Sequence, residues 1–225
     1  MLKFMHQMWW KYASVLIILY VIFMGFLYQA PALDILNESI RALHFHVPMW
    51  FGMMILFLIS VIQSVKYLRT GDLKHDLVAA ETANVGIIFG LLGLVTGMIW
   101  ANYTWGSWWN GDPKQNMSAI CLLIYLAYSV LRSSVNDPEK KGRIAGVYNI
   151  FAFCAMIPLL FIIPRLTDSL HPSNGGNEGF VVYDLDSNLR IVFYPAVIGF
   201  TLLGLWAASL RVRTRMLYYK LLKLV

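Results

Sequence analysis

Two histidines and a run of tryptophans carry the chemistry legible in this chain of 225 residues. His46 lies in "LHFHVPMW", two residues before Pro48, and His171 lies in "LHPSNGGNEG". Between them stands "NYTWGSWWNGDPKQ", Asn102 to Gln115, which holds Trp105, Trp108 and Trp109; Trp100 sits two residues upstream. Indoles commonly anchor a chain at headgroup depth, which accounts for Trp9, Trp10, Trp50 and Trp206. Four indoles within ten residues exceed what anchoring needs. If the stretch from Trp105 to Trp109 is helical, Trp105 shares a face with Trp108 and Trp109. That face would be a flat apolar shelf for a large planar ligand. Gly106 and Gly111 would let the backbone approach it closely. Two imidazoles above such a shelf could supply two axial nitrogens to a haem iron. His44, two residues from His46, points elsewhere if its segment is helical and is a secondary candidate. Arg41, Lys114, Arg165 and Arg190 could meet haem propionates, a pairing that suits Arg geometrically. Interfacial snorkelling is the alternative for each of them.

The elements that must position these groups are membrane spans. The chain is 59% hydrophobic and 13% charged, with a mean hydropathy of +0.61. A helix needs about 20 apolar residues to cross a hydrocarbon core of roughly 30 Å. Six runs qualify: Tyr12–Gln29, Val47–Leu68, Ala83–Ala101, Asn116–Leu131, Ile144–Ile163 and Tyr194–Leu210. They are continuous rather than alternating, which disfavours a β-barrel. The expected fold is all-α: one polytopic six-helix membrane domain over residues 1–225, with residues 102–115 as a tryptophan-rich loop. The first run is long for a cleaved signal peptide and is read as a span.

Charge sets the expected orientation. Of the 18 Lys and Arg, fourteen fall in the termini and loops on one side, and only Arg41, Lys114, Arg165 and Arg190 on the other. The basic side faces the cytoplasm by the positive-inside rule, so both termini are expected there. The basic tail then meets anionic lipid rather than nucleic acid. His46, His171 and the tryptophan loop share the outer face.

The spans themselves carry little chemistry. None has an acid, a base or a histidine at its centre, which argues against buried b-type haems and against a proton path. Gly86, Gly90, Gly93 and Gly97 form a close-packing stripe for a neighbouring helix. Asn84 and Asn149 are read as interhelical hydrogen-bonding residues, and Cys121 and Cys154 as small packing residues. On the inner side His6 and His75 are read as solvated. On the outer side Leu33, Leu36, Ile40 and Leu43 have near-helical spacing, consistent with a short interfacial helix. Pro48 is expected to start the second span, with His46 just above the helix end. The segment "VVYDLDSNLRIVF" could form a small hairpin.

The tryptophan loop, "WGSWWNGD" followed by "PK", resembles the signature of the WWD haem-handling proteins of cytochrome c biogenesis. Six spans, "HVP" before the second span and a histidine in the third outer loop are similar to the CcmC branch. The resemblance covers nearly the whole chain in topology, with about a dozen residues in its specific motifs. It implies haem b bound non-covalently and transiently on the periplasmic face of a bacterial inner membrane. It implies His46 and His171 as axial ligands, with Trp105, Gly106, Trp108, Trp109 and Asp112 matching the signature and Lys114 standing beside it. It implies delivery of haem to the carrier CcmE, with the ABC transporter CcmAB and the small subunit CcmD as partners. The family pattern usually has Trp before the aspartate, where this chain has Gly111, and Arg where it has Lys114. "DPK" looks closer to the related CcsA branch. The expected activity is therefore haem handling without covalent chemistry. A CcsA-like synthase subunit acting on apocytochrome and a permease subunit without ligand are the rivals.

Overall fold

The computed structural model describes residues 7–30, 36–171 and 187–221. Among them every regular element is helical: α1 (Trp9–Leu27), a 3₁₀ turn (Asn37–Ala42), α2 (Leu43–Thr70), α3 (Leu73–Trp105), α4 (Pro113–Ser134), α5 (Pro138–Ile157) and α6 (Ser187–Leu221). α5 runs on through a π turn at Pro158–Ile162 and a 3₁₀ turn at Ile163–Arg165. Pro158 cannot donate to the ladder, which suits it to the wider turn. Six helices are long and apolar enough to cross a membrane, as expected. The protein is an all-helical, multi-pass membrane protein.

Local sequence sets the helix ends. Asp72, Asp112 and Asp137 cap α3, α4 and α5, each accepting a hydrogen bond from a first-turn N–H at 2.7–2.9 Å. Pro113 and Pro138 follow two of these caps at the first helical position, where no N–H is needed. Gly71 (φ 70°) and Gly106 (φ 75°) end α2 and α3 in the left-handed conformation.

α2 is the hub, packing on α3, α5 and α6, while α1 lies against α6 and α4 against α5. The α2–α3 contact bears out the glycine stripe in register. Gly86 meets Phe57, Gly90 meets Met53, Gly93 meets Trp50 and Gly97 meets His46. Antiparallel helices with spacings of four, three and four thus present small residues to large ones. Asn149 is fully buried and donates to Ser60 Oγ (2.7 Å) and Ser64 Oγ (2.9 Å), an interhelical link as expected.

Three local expectations change. Pro48 does not start a span: the 3₁₀ turn feeds directly into α2 at Leu43, so Pro48 and His46 both lie inside the helix. Only one ladder bond is lost, at the second turn. The hairpin is not formed, because Ser187–Leu221 is one helix and Leu189 and Phe193 pack with Ile40 and Leu43. The β-branched run there serves helix packing, and residues 181–186 lie outside the described residues, as does the "PSNGGNEG" run. Of the interfacial segment, residues 31–35 also lie outside them, and the rest is the 3₁₀ turn. His75 is half-buried rather than solvated, with Nδ1 2.7 Å from Gln63 Oε1; His6 is outside the described residues.

Candidate functional site

His46 sits in the first turn of α2 and packs edge-on to Trp50. A Cβ at Gly97 would lie 2.6 Å from His46 Cε1, so the imidazole occupies space that the missing side chain leaves. Its Nδ1 is 3.3 Å from Thr96 Oγ1. The Thr96 hydroxyl spends its own proton on the Leu92 carbonyl at 2.7 Å. With that proton committed, Thr96 Oγ1 is left as an acceptor for His46 Nδ1, and a neutral ring donating there carries its lone pair on Nε2.

His171 reaches the same end of the bundle from the segment after α5. Its ring lies against Trp105 (centroids 4.8 Å apart) and Trp100 (5.9 Å), which also pack on each other. Its Nδ1 is 2.8 Å from Asp112 Oδ1. A carboxylate only accepts, so here too the proton is on Nδ1. Trp100 follows Gly97 by one helical turn on α3. The two imidazoles thus rest on successive turns of one helix.

Asp112 organises the site. It is 4% exposed and accepts hydrogen bonds from Lys114 N, Ser169 Oγ, Leu170 N and His171 Nδ1, each at 2.8 Å. Burial alone would raise its carboxyl, but the bonds from His171, Ser169 and Leu170 hold it well below the usual carboxylate range. For His171 burial is the largest influence and lowers its affinity for a second proton. Asp112 opposes this, the Lys114 charge adds to it, and the net direction is down.

The tryptophans do not form one shelf. α3 ends at Trp105, and Gly106 turns the chain before Trp108 and Trp109. A left-handed residue cannot continue a helix, so the four indoles divide into pairs. Trp100 and Trp105 surround His171. Trp108 (53% exposed) and Trp109 (39%) line the open surface of the loop. That loop is tied to the start of α4: Trp109 Nε1 donates to Asn116 Oδ1 at 3.1 Å, and Asn116 Nδ2 to the Gly111 carbonyl at 2.8 Å. Gly111 has φ 71°, a conformation in which a tryptophan would be strained. The Trp100 indole N–H is buried without a protein partner.

The other candidates separate. Lys114 lies at the site, a neighbour of Asp112, Arg165 and both histidines. Arg41 caps the end of α1 through the Gly25 and Tyr28 carbonyls and pairs with Glu38. Arg165 donates to the Phe161 carbonyl. His44 faces Gly25 of α1, away from His46, as its helical position requires. Thr96 and Ser169 were not singled out by sequence. Neither belongs to a motif, and only the fold brings Ser169 to a residue 57 positions away.

With this geometry in hand, known proteins can be compared. The family model for Heme exporter protein C matches residues 2–224. The chain is 25% identical over 210 residues to Heme exporter protein C of Rhodobacter capsulatus, covering 92% of this chain and 84% of that protein. It is 28% identical over 183 residues to the protein of the same name from Paracoccus denitrificans, covering 79% and 73%. A shorter match, 41% identical over 89 residues, joins it to Cytochrome c biogenesis protein CcsA of Prochlorococcus marinus, covering 40% of this chain and 27% of that protein.

Proposed function

The chain belongs to the Heme exporter protein C family, and from that premise we propose that it holds haem between His46 and His171 at the tryptophan-rich end and presents it to a carrier. Membership supports a role in haem handling for cytochrome c maturation, by transport rather than catalysis. The observation that carries the finer reading is the matched state of the two imidazoles. Each has Nδ1 beside an oxygen, Thr96 Oγ1 for His46 and Asp112 Oδ1 for His171, and a neutral ring that donates through Nδ1 carries its lone pair on Nε2. That is the ligand form that haem iron requires. Among the described residues no three His, Cys, Asp or Glu converge on one point. Two nitrogens suit a metal that brings its own equatorial ligands, as porphyrin does. The indoles of Trp100 and Trp105 supply apolar surface beside His171, and Trp108 and Trp109 supply it at the open face. Lys114 is the cation placed to meet a propionate.

The cargo on this reading is haem b, held without a covalent bond. The membrane is the bacterial inner membrane, with the site on the periplasmic face and both termini cytoplasmic. The fourteen-to-four asymmetry of basic residues supports that orientation. The carrier CcmE, the transporter CcmAB and a CcmD-like subunit are the proposed partners. The CcsA-like alternative draws on the 41% identical segment. The chain spans only 27% of that relative and 84% of the Rhodobacter protein, which favours the carrier-loading role.

The test is an absorption spectrum of the purified protein with added haem. The wild type should show a low-spin Soret band, and the His46→Ala, His171→Ala double variant should lose it. Full haem with an unchanged spectrum in the double variant would overturn the ligand assignment. A wild type that takes up no haem would overturn the haem reading altogether.

A further inference from the structure

The hydrogen-bond partners of the two imidazoles differ in charge. His171 donates to the buried carboxylate of Asp112 at 2.8 Å, within a network of four bonds on that carboxylate. His46 donates to a neutral hydroxyl at the longer distance of 3.3 Å. A bond to an ionised acceptor is roughly twice as strong as one between neutral groups. A carboxylate behind a ligating imidazole also raises its basicity toward the metal. The supports differ in reach as well. Asp112 ties His171, Ser169 and Leu170 to the start of α4, so the retaining group and its loop move together. His46 is oriented by packing against Gly97 and by one side-chain bond, to Thr96.

We propose that the two histidines grip haem unequally: His171, backed by Asp112, is the retaining ligand, and His46, whose donor nitrogen is set by Thr96, is the ligand that an incoming acceptor displaces. This rests on the haem-binding reading above and adds the order of release to it. The exchange itself is a substitution. The bond from iron to His46 Nε2 breaks, the lone pair stays on the imidazole, and the acceptor's lone pair takes the vacated position. No electron or proton need be supplied. Thr96 acts through His46 and is a positioning residue. Without its hydroxyl the ring can adopt the other tautomer, which puts a proton on the nitrogen that would hold iron.

The experiment uses the full chain loaded with haem and reduced, with carbon monoxide as the displacing probe. In the haem-loaded fraction, Thr96→Val should speed carbon monoxide entry by about fivefold, the effect of losing one neutral hydrogen bond. The ferric spectrum should gain a high-spin component. Thr96→Ser, which keeps the hydroxyl, should restore both readouts, and a variant that merely loosened packing would not be rescued this way. Asp112→Asn should lower haem retention on gel filtration rather than speed carbon monoxide entry selectively. If Asp112→Asn speeds entry and Thr96→Val does not, the order is reversed and the proposal fails. If Thr96→Val matches the wild type in both rate and spin state, Thr96 has no such role. Failure of the parent reading looks different, because the wild type would then bind no histidine-ligated haem to displace.

Discussion

Asp112 shows how much one residue can do at this site. It caps α4, holds the segment from Ser169 to His171, and fixes which nitrogen of His171 carries the proton. Asparagine at this position keeps the shape and the cap. Its amide, however, can donate to His171 Nδ1, which would move the ring proton to Nε2. Asp112→Asn should therefore weaken haem binding by about 10- to 100-fold, the usual range for a residue that orients a metal ligand; a haem titration followed at the Soret band measures it. The pH dependence has a definite sign. On the proposed ligation, a proton competes with iron for Nε2 of His171. Burial, with Lys114 adding to it, holds the imidazole's proton affinity below the ordinary value of 6.5. Haem retention should stay flat from neutral pH down through 6.5 and fall only below it. A loss centred at or above the ordinary value, in a spectrophotometric pH titration, would contradict this assignment. The types of these residues were legible in the sequence: His46, His171, Asp112 and Lys114 were all picked out there. Their contacts were not. Asp112 and His171 are 59 positions apart, and no local pattern couples a helix cap to a histidine in a later loop. Thr96 escaped notice because a threonine in an apolar span ordinarily bonds its own helix, which it also does here.

At the scale of elements, the apolar spans and the glycine stripe were legible, and tertiary pairing was not. The glycine stripe is a local signal, and it led to the α2–α3 contact. The expected hairpin failed because β-branched residues suit a packed helix as well as a strand, and the long α6 decides between them. The charged first turns of α3 are tied to other helices. Asp76 makes a two-bond pair with Arg132, and Glu81 lies between Arg211 and Arg215 of α6. The Glu81 pair is lopsided: the carboxylate side chain is 5% exposed, the arginines 46% and 52%. Removing the acid leaves two cations that can hydrate. Removing both cations strands a buried charge. Glu81→Gln should thus cost about 1 kcal/mol or less, and the Arg211→Ala, Arg215→Ala double variant roughly 3–5 kcal/mol. Thermal unfolding in detergent compares the two. Equal losses would mean that Glu81 reaches water and that α6 is not anchored to α3 through this pair.

For the whole molecule, the distribution of charge and the position of the site make one joint claim. α3 and α6 have 33 and 35 residues, or about 50 Å of helix at 1.5 Å per residue, against a hydrocarbon core of roughly 30 Å. Both must project. At one end their extensions carry Arg211 and Arg215 with their shared partner Glu81, and the cluster of Leu77, Val78 and Val212. At the other end α3 carries Trp100 and Trp105 to His171. Basic extensions are retained on the cytoplasmic side by the positive-inside rule, and on the proposed orientation the histidine end opens on the opposite face. Haem presented there would meet a carrier outside the cytoplasm and not inside it. Single cysteines test this in a Cys154→Ser background, Cys154 being the exposed native thiol and Cys121 a buried one. Tyr103 is 81% exposed beside the tryptophan loop, and Thr214 is exposed on the basic extension of α6. A membrane-impermeant maleimide applied to intact spheroplasts should label Tyr103→Cys at once and Thr214→Cys only after the membrane is opened. The reverse pattern would place the histidines in the cytoplasm. It would leave the haem geometry intact but remove the periplasmic acceptor, and the protein would then have to be loaded from the face to which it is proposed to deliver nothing.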